Sequence, residues 1–127
     1  MRNAIDNTDD VIDSRDVIER IETLESLKAD HDDDPEGGHF SDEDALELRD
    51  LRALANEAIQ YSGDWEYGSS LIRDSYFTDY AREMLEDCGD IPKDLPHYIA
   101  VDWDQTALNI RVDYTPIDFG GVTYWVR

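Results

Sequence analysis

The C-terminal stretch constrains the fold more than any other part of the chain. Residues 115–126 read TPIDFGGVTYWV, two runs of branched and aromatic side chains meeting at Gly120-Gly121. Paired glycines supply the left-handed backbone of a two-residue turn whose twist matches that of flanking strands. A β-hairpin is therefore expected, with strands over Thr115–Phe119 and Val122–Val126. Two strands alone are marginal in water. Phe119, Tyr124 and Trp125 must then pack on helices or on a further strand, conceivably residues 99–101.

Upstream, apolar residues recur with helical spacing. Val17, Ile21 and Leu24, widened by Ile18 and Leu27, predict a helix opening after Asp13 or Ser14. Asp16 and Glu19 stand near its positive end and Lys28 near its negative end. Glu19, Glu22 and Glu25 lie off the apolar stripe and should face water. Residues 31–39, HDDDPEGGH, read as a break. Ser41 with Asp44 reads as a capping-box start for a second helix running to about residue 60 on Ala45, Leu48, Leu51, Leu54 or Ala55, and Ala58 or Ile59. An antiparallel helical hairpin is the economical arrangement.

Residues 61–70 read as a turn-rich linker with Trp65 and Tyr67 as anchors. Asp74 or Ser75 should cap a helix whose core face is Phe77, Tyr80, Ala81, Met84 and Leu85, stopped by Gly89. Pro92 and Pro96 mark a loop. Asp102, with Gln105 in the reciprocal position, should cap a short helix turning Trp103, Ala107 and Leu108 inward. Residues 1–12 are expected to be irregular, or to hold a short edge strand near Val11 and Ile12. The predicted class is α+β: an acidic helical hairpin in residues 1–62, then a small module of two helices and a C-terminal β-hairpin in residues 63–127.

Composition limits the function classes. A chain of 127 residues, 40% hydrophobic, with three Trp, seven Tyr and three Phe, can bury one core without crosslinks. One cysteine, Cys88, supplies no disulfide framework, and the N-terminal MRNAIDNTDDVIDS lacks a basic region and an apolar run. A cytoplasmic location is the expectation. No stretch approaches the length of a membrane span. Thirty-two acids against eleven bases give a net charge of -21, which repels nucleic acid and anionic membranes and attracts a basic partner or a cation.

Chemical motifs are weak. The acids of residues 30–36 lack the ordered alternation and closing glutamate of an EF-hand loop. His31 and His39 with one distant cysteine do not make a zinc set, and His97 between Pro96 and Tyr98 reads as a loop residue. Asp102 and Asp104 form a tempting acid–base pair, but an N-cap and a first-turn acid explain them. Ser69, Ser70 and Ser75 lack a nucleophile elbow. Cys88 has acids beside it, where a reactive thiol needs positive surroundings. Neither enzyme chemistry nor a cofactor or metal is expected.

The charge itself remains. Residues 1–50 carry 18 acids and five bases, and residues 51–127 carry 14 and six, so the excess is spread over a folded chain. A small domain stays soluble with a net charge of about 2–8 in magnitude. A DNA duplex carries one phosphate per about 1.7 Å, so this excess equals about 36 Å of duplex. Asp16, Glu19, Glu22 and Glu25 should form one stripe of carboxylates. Glu43, Glu47 and Asp50 should form a second, with Asp74, Asp79, Glu83, Glu86 and Asp87 extending the surface. A groove lined with Arg and Lys would accept such rows as surrogate phosphates. The competing readings are a merely solvated acidic surface and a non-enzymatic adaptor docking through Trp65, Tyr67 and Trp125.

The patterns SYFTDYAREMLEDCG and IAVDWDQTALNIRVDYTPIDFGGVTYWVR add a resemblance. Tyr76, Phe77, Tyr80 and Ala81, then Asp102, Trp103, Ala107 and Leu108, then Asp113 and Tyr114, then residues 122–125 are similar to the last module of ArdA-type antirestriction proteins. The likeness covers under half of the chain, and a helical arm stands where that family carries its front modules. It implies a DNA mimic that occupies the DNA site of a type I restriction–modification enzyme, with a homodimer formed through that module. With the front modules replaced, a CRISPR effector is an alternative target.

Overall fold

The structure, a computed structural model, describes residues 4–127. The expectation for the irregular start extends to residues 1–3, which lie outside the described residues. The elements are β1 (Val11–Asp13), α1 (Ser14–Asp33), α2 (Asp42–Ala58), β2 (Ser70–Arg73), α3 (Phe77–Asp87), α4 (Trp103–Arg111), β3 (Thr115–Phe119) and β4 (Val122–Val126), with one 3-10 turn, Asp74–Tyr76, before α3. The class is α+β, as expected.

The hairpin forms as its sequence requires. Gly120 and Gly121 have φ of +57° and +87°, the left-handed pair of a type I′ turn, and Phe119 registers with Val122. Its further partner is β2 rather than residues 99–101. All neighbours are antiparallel in the order β1-β2-β4-β3, with Ile72 opposite both Val11 and Trp125. The sequence hides β2 because only Leu71 and Ile72 are apolar between Ser70 and Arg73, too short a run to show alternation.

Successive side chains of a strand point to opposite faces, and here each face has its own core. Leu71, Ile117, Phe119, Tyr124 and Val126 join Ile12 and the buried residues of α1 and α2, including Val17, Leu24, Leu48, Leu51 and Leu54. Ile72 and Trp125 face the other way, onto Phe77 and Ala81 of α3 and Ala107 of α4. The sheet is thus the middle of three layers. The expected boundary between residues 62 and 63 runs through the larger core, since Ile12, Leu51 and Ala58 share it with Trp65, Leu71 and Tyr124.

Local signals settle the ends of the helices. The Asp13 side chain accepts from the Arg15 N–H at 2.9 Å, and fully buried Ser14 exchanges hydrogen bonds with Ser69, tying the start of α1 to β2. Ser41 and Asp44 form the complete capping box. Asp102 accepts from the Gln105 N–H at 3.1 Å, but the Gln105 side chain turns to Asn109 instead of returning to the cap. Gly89, at φ +79°, follows the end of α3. The α1 helix continues through His31 to Asp33, so the predicted break begins later. Leu108, expected inward, is 46% exposed.

Candidate functional site

The rotation of α1 is set by Val17 and Leu24, both fully buried. Glu19, Glu22, Asp30 and Asp33 are consequently exposed on the outward side, at spacings that keep them near one line. From Glu19 to Asp33 the line is about 21 Å long at 1.5 Å per residue. Glu19 and Glu22 form no ion pair or hydrogen bond among the described residues. Asp16 is half-exposed one turn earlier. Glu25 is engaged by Arg52 of α2 at 3.0 Å.

The line continues into the α1–α2 turn. Residues 30–44 contain Asp30, Asp32, Asp33, Asp34, Glu36, Asp42, Glu43 and Asp44, and neither Lys nor Arg. Asp34 accepts from the Gly37 N–H at 3.1 Å, and Asp44 accepts from the Ser41 N–H at 3.2 Å. The other six point no side-chain hydrogen bond at a described residue, and all six are exposed. Asp30 to Glu36 are absent from the rows expected from sequence. Their signal is a run of charge in a stretch that reads as a break between helices. The extension of α1 through Asp33 is what aligns Asp30 and Asp33 with Glu19 and Glu22.

The second predicted row does not form. Glu47 turns inward, where Arg20 grips both its oxygens, Nε to Oε2 at 2.7 Å and Nη2 to Oε1 at 2.9 Å. The Ile5 N–H adds a third bond at 3.1 Å. Arg20 is 8% exposed, and its hydrogen bond to Glu47 raises its pKa. The clue lay in position: Arg20 falls between Val17 and Leu24, and Glu47 lies four residues before Leu51, so both occupy apolar stripes. Asp50 pairs with Arg49 at 3.2 Å. Of this row, only Glu43 stays free for a partner.

The C-terminal set is mostly occupied as well. Asp74 caps no helix by side-chain hydrogen bond; it accepts from Trp125 Nε1 at 2.8 Å and faces Arg111 at 3.6 Å. Tyr76 donates its hydroxyl to Glu83 at 2.9 Å, which raises the Tyr76 pKa. Glu86 pairs with Arg82 at 2.7 Å and Asp87 with Lys93 at 3.7 Å. Of this set, exposed Asp79 alone has neither an ion pair nor a side-chain hydrogen bond among the described residues.

The aromatic docking patch is overturned. Trp65 is 4% exposed within the larger core, Trp125 lies in the smaller core on the other face of the sheet, and Tyr67 is exposed by itself. Among the described residues no group of three or more His, Cys, Asp and Glu side chains is placed to hold a metal ion. His31 Nδ1 lies 3.4 Å from the Gly38 carbonyl, and His97 stacks edge-on against Tyr98. No helix among the described residues is long and apolar enough to cross a membrane.

Acids without a side-chain partner are densest on the outward side of α1 and in residues 30–44, while exposed acids elsewhere, such as Asp64, Glu66 and Asp104, also have no side-chain partner among the described residues. Compared with known proteins, the chain matches no family model, no curated protein and no solved structure.

Proposed function

We propose that the protein is an acidic DNA mimic that inhibits a bacterial DNA-binding defence enzyme by occupying its DNA groove. The observation that carries this reading is the carboxylate face from Glu19 and Glu22 through residues 30–44, eight of whose fifteen residues are acids without a compensating Lys or Arg. Stability does not account for it. Asp30, Asp32 and Asp33 crowd the C-terminal end of α1, where the helix carries partial negative charge and each acid costs about 0.3–1 kcal/mol. Charge placed against local stability implies a partner that rewards it.

A basic groove supplies that reward. The 21 Å line on α1 matches about six base pairs of one phosphate strand at 3.4 Å each, and the turn extends it. Carboxylates there would meet the Arg and Lys side chains that otherwise hold phosphates, while the field of the whole molecule speeds encounter. Inhibition is then stoichiometric, without turnover, cofactor or direct contact with nucleic acid. A restriction–modification complex is the target class, a likeness shared with the antirestriction pattern of residues 75–127, and a CRISPR effector is the alternative. Both operate in the bacterial cytoplasm.

The test is capture of a partner from host lysate, with duplex DNA as competitor. Duplex should release the partner, as should raising salt from about 0.05 to 0.5 M. Joint replacement of Glu19, Glu22, Asp30, Asp32 and Asp33 by their amides should abolish capture while the chain stays folded. Capture indifferent to both competitors would overturn the reading.

A further inference from the structure

One face of α2 breaks the acidic pattern. Ala45, Leu48, Arg49 and Arg52 recur at spacings of three and four and so share a side of the helix. With Lys28 of α1 and Phe40 of the connecting loop, they line an open cleft of about 320 Å³. That volume lies at the lower end of the range for small-molecule sites, about 300–1,000 Å³. Leu48, 3% exposed, with Phe40 and Ala45, makes the lining apolar, and the other three residues are cations.

Those cations retain capacity for a ligand. Arg52 directs Nε and Nη2 to a single oxygen of Glu25, at 3.3 and 3.0 Å. Arg49 does the same to one oxygen of Asp50, at 3.3 and 3.2 Å. A guanidinium has five N–H donors, so each keeps others for a further acceptor. Lys28 forms no ion pair among the described residues and is exposed. In a chain of net charge -21, three cations converging on an apolar cleft define a local site of opposite sign.

We infer that the cleft between α1 and α2 binds a small amphipathic carboxylate, an alkyl chain or aryl ring ending in one carboxylate. The apolar part would lie on Phe40, Ala45 and Leu48, and the carboxylate would accept hydrogen bonds from Lys28 and the two guanidinium groups. Charge assistance makes such bonds the stronger class. The cleft adjoins the proposed mimic face at Phe40 but is lined by none of its carboxylates, so octanoate binding and partner capture test the two separately.

Octanoate is the probe, titrated into the full chain at low salt and followed by calorimetry and backbone amide shifts. One saturable site is expected, with shifts centred on Phe40, Ala45, Leu48 and Arg49. Octanol, which lacks the charge, should bind about tenfold more weakly, as should octanoate to the Lys28→Gln/Arg49→Gln double variant. Circular dichroism establishes that this variant is folded, and Ala45→Phe, which fills the cleft without altering charge, should independently block binding. Equal binding of octanol and octanoate, shifts scattered over the surface, or no saturation at millimolar octanoate would overturn the inference.

Discussion

Glu22 and Glu47 carry the same side chain on neighbouring helices and act oppositely. Glu22 stands in water on the outward side of α1, so its charge is available to a partner and its removal leaves no orphan. Glu47 balances Arg20, whose side chain is 9% exposed. Truncating one member of a buried pair strands the other charge and typically costs 3–5 kcal/mol. Glu47→Ala should accordingly lower stability by about 3 kcal/mol, whereas Glu22→Gln should stay within about 0.5 kcal/mol. Urea denaturation midpoints of the two variants decide the matter; equal, small shifts would show that solvent reaches the Arg20–Glu47 pair. Both residues were legible as acids, but periodicity alone ranks an inward Glu with an outward one. Only the opposed Arg20 tells them apart.

At the scale of elements, α1 concentrates the conflict between stability and use. Its first turn is well made, with the Asp13 cap and Asp16 at the positive end. Its last turn holds Asp30, Asp32 and Asp33, with His31 as the basic residue there. Converting the three aspartates to asparagine should raise stability by about 1–3 kcal/mol at low salt, by relief of like charge at the negative helix end. A thermal melt measures it, and a fall in melting temperature would mean that these acids support the fold. Caps and stops are legible in the sequence because Ser41 with Asp44, Asp102 and Gly89 each serve by local hydrogen bonding or a local backbone preference. Neither Asp74 nor Ser75 caps α3 as expected: Asp74 meets Trp125 and Arg111 from distant parts of the chain, and Ser75 accepts from Arg73.

For the whole molecule, the two cores on opposite faces of the sheet each hold or border a tyrosine with a displaced titration. Burial pushes Tyr124 up to about 12 and Tyr80 up to about 12, the latter aided by its hydrogen bond to Tyr114. The unfolded phenols ionise near 10, so folding favours the protonated form. Their stabilisation is fully present below pH of about 10 and is lost as pH rises through about 12. Tyrosinate absorbance should therefore show a late-ionising class whose appearance coincides with loss of far-ultraviolet dichroism between those values. Complete ionisation near pH 10 with the fold intact would place both hydroxyls in solvent.

Taken by itself, the amino-acid order determined whatever depends on neighbours within about four positions: the glycine turn, the caps, the helical periodicities and the overall excess of acid. Those features rest on hydrogen bonds and backbone preferences satisfied inside one segment. Tertiary structure alone decided that Leu71 and Ile72 form a central strand serving two cores, that residues 1–62 and 63–127 share one of them, and which carboxylates remain unpaired. Each of these depends on partners distant in the chain, Arg20 with Glu47 or Asp74 with Trp125, and a charge is free or spent only according to what the fold places beside it.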